Sequence, residues 1–134
     1  RHEIHKGGAM KIRSATFFLL KLPFIIPYRL AIKHSVFSSD FREDVFPTMM
    51  PNWDHTPRSG RGGTCLHNAT PELFRKHAYE ILSTTDKKKN KVVFVKSWNE
   101  WGEGNYMEPD LKFGRGFINA LKQAIQDKEY KINK

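Results

Sequence analysis

The stretch "VVFVKSWNEWGEG" (92–104) decides how the rest of this chain is read. Val92, Val93, Phe94 and Val95 form an unbroken apolar run rich in β-branched residues. That pattern predicts a strand covered on both faces, as in a parallel sheet. The run opens into a loop carrying Glu100 and Glu103, three apart, with Trp98 and Trp101, two of the chain's three tryptophans. Gly102 and Gly104 allow the backbone to turn sharply and aim both acids into one cavity.

Downstream, Asp110 is placed to cap a helix over 111–127, where Phe117, Leu121, Ala124 and Ile125 keep a helical period. Upstream, "NATPELFRKHAYEILS" (68–83) carries a complete start signal: Thr70 as N-cap, Pro71 at the first helical position, and Glu72 complementing the helix dipole. Leu73, Phe74, Ala78, Ile81 and Leu82 form its apolar stripe. Before it, "DVFPTMMP" (44–51) reads as a short buried strand, irregular at Pro47, running into the polar loop "NWDHTPRSGRGG" (52–63). The order strand, loop, helix, strand, loop, helix makes two consecutive βα units, the building block of parallel sheets and barrels. In such folds ligands meet the loops at the carboxyl ends of the strands, where both unusual loops fall.

The 134 residues divide into a loosely assigned segment 1–45, βα units over 46–127 and a basic tail, 128–134, expected to fray. In the first segment the apolar stretch 16–30 is too short to span a membrane, which takes about 20 apolar residues. It is expected to pack against the protein, with interfacial membrane contact as the second reading. Residues 28–39 suggest a short helix. The net charge of +9 is concentrated. Residues 1–13 and the turn "DKKKNK" (86–91) each carry +3. With no phosphate loop, zinc finger or RNA-binding aromatic signature beside them, these lysines read as a solvated surface, and nucleic acid is not an expected partner. A single cysteine, Cys65, excludes an internal disulfide framework and fits a reducing compartment.

Two carboxylates held a few ångströms apart can divide the roles of acid and base that glycosidic cleavage requires. Indole faces beside them would stack on sugar rings. In the other loop, Trp53, Asp54, His55 and Arg58 could grip sugar hydroxyls or an acidic group. Equally, Asp54 and Arg58 could pair with each other and fix the loop. No His or carboxylate set has metal-ligand spacing, so neither metal nor cofactor is expected. Cys65 has no evident base beside it and reads as structural. His2, His5, His34, His67 and His77 read as surface or incidental.

The segments "FPTMMPNWDHTPR" (46–58), "TPELF" (70–74) and "SWNEWGEGNYMEPDLKFGRGFINALK" (97–122) resemble the WbsX family, the glycosyltransferase-named proteins of bacterial surface-polysaccharide clusters. That family is itself similar to glycoside hydrolase family 99, the endo-acting α-mannosidases. The resemblance implies an α/β fold, the C-terminal portion of a (β/α)8 barrel, which takes about 250 residues to close. It implies that Glu100 acts as base on the sugar 2-hydroxyl, giving an anhydro-sugar, and that Glu103 is the acid/base at the glycosidic oxygen. Trp53, Asp54, His55, Arg58, Asn99, Trp101, Tyr106 and Glu108 would line the sugar subsites. The implied partners are an oligosaccharide or polysaccharide and a sugar donor, handled in the cytoplasm or at the inner membrane surface. Alternatives are an endo-acting retaining glycoside hydrolase and a non-catalytic glycan-binding fragment.

Overall fold

The computed structural model describes residues 22–132. The basic N-terminal residues and the start of the apolar stretch 16–30 lie outside them. The remainder of that stretch forms β1 (Phe24–Pro27) and runs directly into α1 (Tyr28–Lys33). There follow β2 (Thr48–Met49), the single-turn α2 (Thr56–Ser59), β3 (Thr64–His67), α3 (Pro71–Thr84), β4 (Phe94–Val95), β5 (Asn99–Glu100), β6 (Asn105–Tyr106) and α4 (Gly116–Ile132). Two small sheets are parallel: β1 with β3, registering Phe24 on Thr64, and β2 with β4, registering Thr48 on Phe94. β5 and β6 are antiparallel. The fold is thus mixed α/β with parallel pairing as expected, and no closed barrel forms among the described residues.

The helix read from 68–83 forms as its sequence signals require. Thr70 Oγ1 accepts from the Leu73 amide at 3.3 Å, and Pro71 opens the first turn. Its buried stripe, Phe74, Ala78 and Ile81, packs on Phe117, Ala120 and Ala124 of α4, with Met49 and Met107 closing the core. Ile125, expected in the α4 stripe, is instead exposed, and Ala120 takes a core position. α4 also starts later than expected, at Gly116. Asp110 does cap, but it caps a turn: its Oδ1 accepts from the Phe113 amide at 2.5 Å, and Gly114 adopts a left-handed φ of 54° that a helix cannot continue. At the other end α4 runs on to Ile132, through most of the stretch read as a frayed tail.

Three further expectations change. β3 lies within what reads as loop between Gly63 and the helix, since four residues, "TCLH", carry too little pattern to announce a strand. The strand at 92–98 is not covered on both faces: Val92, Phe94, Val95 and Trp98 are between 37% and 55% exposed. Val93 packs on the core, whereas Phe94 meets the Phe46 ring edge-on at 6.0 Å, so the opposite apolar face is only partly covered among the described residues. The "DKKKNK" turn is not wholly solvated either. Lys88 is buried, its Nζ donating to the carbonyls of Asp40 (3.1 Å) and Val45 (2.5 Å), while the Glu43 carboxylate accepts from the Lys89 and Asn90 amides.

His77, read as incidental, is buried at 3% exposure and fixes the exit of β2. Its Nε2 accepts from the Met50 amide at 3.2 Å, so in the neutral ring Nδ1 carries the proton toward Ser35 Oγ at 3.1 Å. Tyr28, also buried, donates to the Met50 carbonyl at 2.7 Å. Both peptide groups of Met50 are therefore held, three residues before Trp53. Burial pushes the His77 imidazole down to about 4. An unfolded histidine titrates near 6.5, so as pH falls the unfolded chain takes up the proton first. Stability is complete above about pH 6.5 and falls by up to about 3 kcal/mol on the way to pH 4. Denaturant midpoints measured across that range should drop steeply in the native protein and less in His77→Gln; equal slopes would contradict this account.

Candidate functional site

Backbone bonds tie the loop after β2 both to the acid loop and to β3 before any side chain is considered. The Asp54 amide donates to the Glu103 carbonyl at 2.8 Å, the His55 amide to Thr64 at 2.9 Å, and the Leu66 amide to Trp53 at 2.7 Å. Gly104 makes the first of these possible. Its φ of 51° is left-handed, and a Cβ there would sit 2.9 Å from the Asp54 Cβ, so only glycine lets the acid loop lie this close.

On this frame the acids converge. Arg58 donates through Nη1 to Glu103 Oε1 at 2.8 Å and through Nη2 to Glu100 Oε1 at 3.3 Å. One guanidinium thus spans both carboxylates, and the pair is not the bare acid dyad that the spacing suggests. Glu103 is the more enclosed, its side chain 15% exposed against 42% for Glu100. Two further nitrogens approach Glu103: His55 Nε2 at 3.6 Å and Lys96 Nζ at 3.9 Å. Lys96 Nζ also lies 4.5 Å from the centre of the Trp53 ring, a cation–π distance. The Asp54–Arg58 pair, one of the two readings of that loop, does not form. Asp54 Oδ1 instead accepts from the Thr56 amide at 2.9 Å and its hydroxyl at 2.5 Å, starting the turn that carries Arg58.

Trp101 stacks on Tyr106, ring centres 3.8 Å apart at 13°, and its Nε1 donates to Glu108 at 2.6 Å. One indole face is therefore occupied, and the ring, 48% exposed, keeps the other open. Tyr106 is held in turn: its amide donates to Asn52 Oδ1 at 2.8 Å and its hydroxyl to Asp110 at 3.1 Å. Burial, the Asp110 charge and that hydrogen bond all push the Tyr106 phenol up, keeping it a donor. Asn105, fully buried, donates to the Asn52 carbonyl. Asn99 is exposed on β5.

Two hollows flank Trp53. One of about 270 Å³ is lined by Met50, Trp53, His55, Thr64 and Leu66. The other, about 310 Å³, lies against Trp53, Asp54, Cys65, His67, Tyr106 and Phe113. β3 runs between them: Thr64 lines the first, Cys65 and His67 the second, and Leu66 both. Glu100 and Glu103 border neither of these two hollows, although His55, which lines the first, lies 3.6 Å from Glu103. Burial, then the Asp54 charge, push the Cys65 thiol up, which suits a structural rather than a nucleophilic residue. Sequence reasoning missed Lys96, Asn52 and Asn105. A lysine closing an apolar strand just before the acids was the available signal for the first; nothing in the spacing marks the two asparagines. Among the described residues no group of three or more His, Cys, Asp or Glu is placed to hold a metal ion, and no helix is long and apolar enough to cross a membrane.

By fold this is a mixed α/β chain that gathers two acids, an arginine, a lysine and indole rings in the loops after β2 and β4. More particularly, it belongs to the WbsX glycosyltransferase family, whose description matches residues 3–121. It is 34% identical over 85 residues to each of two proteins called "Uncharacterized protein WxcX", from Xanthomonas campestris pv. campestris strains B100 and ATCC 33913. Those matches cover 60% of this chain and 12% of the length of each relative. No solved structure matches it.

Proposed function

We propose that this chain supplies the acid-bearing end of a carbohydrate-active enzyme of bacterial surface-polysaccharide assembly, O-antigen or capsule, working at the cytoplasmic side of the inner membrane. Glu100 and Glu103 are its chemical centre. The observation that carries this reading is their convergence on the single guanidinium of Arg58, beside Trp53 and Trp101. Acids held at one point, with flat apolar rings nearby, suit a reaction at a glycosidic oxygen. In this reading the exposed apolar face of β4 is covered by further strands of a (β/α)8 barrel in a longer polypeptide. Glu100 then takes the sugar 2-hydroxyl proton and Glu103 serves the glycosidic oxygen, as in the similar hydrolase family. Trp53, Asp54, His55, Asn99, Trp101, Tyr106 and Glu108 border the sugar.

The acid pair itself favours a second reading, an endo-acting hydrolase, because such a pair also cleaves a glycan with water as acceptor. Incubating the whole protein with mannan-type oligosaccharides, with and without nucleotide sugars, separates the two. Chain extension only when a nucleotide sugar is present is the expected result. Shortened oligosaccharides without any donor would replace transfer by hydrolysis, and no change to either substrate would remove both.

A further inference from the structure

The geometry points to Arg58 as a positioning residue that sets the spacing of the acid pair, rather than a residue that grips the sugar. This inference rests on the proposed role of Glu100 and Glu103. Both terminal nitrogens of the guanidinium are already engaged, Nη1 by Glu103 at 2.8 Å and Nη2 by Glu100 at 3.3 Å. The backbone between the acids passes close to it. A Cβ on Gly102 would lie 3.2 Å from Arg58 Nη2 and 3.2 Å from Glu100 Oε1, closer than nearly all real side chains stand. The residue's own base is fixed as well, since Asp54 starts its turn and the Arg58 amide donates to the His55 carbonyl at 3.2 Å. His55 and Lys96 approach Glu103 from 3.6 and 3.9 Å, too far to replace a direct hydrogen bond, and neither is paired with Glu100. A planar fork with two separated donors can hold two carboxylates at one spacing; the point charge of lysine cannot.

The Arg58 side chain is 56% exposed, and ion pairs so open to water contribute little to stability. Its removal therefore leaves the protein folded, and what changes is the geometry of the acids. The test measures steady-state kinetics of the whole protein, with nucleotide sugars and mannan-type oligosaccharides, for the native form, Arg58→Ala, Arg58→Lys and Glu103→Gln. Arg58→Ala is expected to lose about 100-fold in kcat, the cost of misplacing a reacting group by about an ångström, with KM nearly unchanged. Added guanidinium should restore part of that loss in Arg58→Ala and none in Arg58→Lys. A raised KM with kcat preserved would overturn the inference and make Arg58 a ligand contact. Full activity in Glu103→Gln would instead remove the proposed role of the acids. Loss of activity there, with Arg58→Ala unaffected, would sink this inference alone.

Discussion

Replacing Glu103 by glutamine should lower turnover of the whole protein by about 10²–10⁴-fold, the range that one positioned acid or base supplies. The substitution keeps the shape of the side chain and leaves an oxygen to accept from Arg58 Nη1, so the loop has little reason to move. What disappears, in the proposed function, is the group that takes and returns a proton at the glycosidic oxygen. Glu100→Gln should lose activity on the same scale, for the 2-hydroxyl step. Glu108→Gln should lose far less, because Glu108 is engaged in holding the indole nitrogen of Trp101 and stands outside the acid pair. Sugar products followed by mass spectrometry give all three comparisons. Equal losses in all three variants would mean that the loop responds as a structural unit and that no acid within it has a chemical role.

The largest expected effect on folding is at Phe74. Its ring is fully buried between α3 and α4, 5.8 Å from the ring of Phe117, in a core whose other helical members are largely alanines. Ala78, Ala120 and Ala124 bring the helices close and leave few atoms able to relax into a vacated space. Phe74→Ala should therefore cost about 3–5 kcal/mol, transfer and cavity terms together. Urea titration should show the midpoint falling with the slope unchanged. A loss below about 1 kcal/mol would place the helix pairing outside what holds this fold together. The consequence for function is indirect but physical: α3 carries His77, which holds Met50 and through it the approach to Trp53.

How far these features could be read in advance depends on the kind of signal. α3 was legible apart from its buried histidine, because its cap, first-turn proline and apolar stripe are local and agree with one another. The parallel pairing of β2 with β4 was legible from the run 92–95, but the degree of cover was not, since it depends on what packs against the strand and not on the strand itself. β3 escaped because four residues cannot establish a period. Lys88 and His77 escaped for another reason. A lysine in a lysine run and a histidine on a helix each look solvated, and only long-range contacts at Asp40, Val45 and Met50 give them buried roles. At the site, the nearness of Glu100 to Glu103 followed from the spacing, whereas the bridge from Arg58, more than forty residues earlier, did not. Charge types at a loop can be read locally; which charge meets which is decided by the fold.

The account depends on both acids facing one sugar linkage, and the structure of the whole protein bound to an oligosaccharide tests that most directly. The expected result has Glu103 within about 3 Å of a glycosidic oxygen and Glu100 within the same reach of the neighbouring 2-hydroxyl. Arg58 should still join the two carboxylates. A sugar bound elsewhere, with Glu100 and Glu103 turned to open solvent, would contradict it.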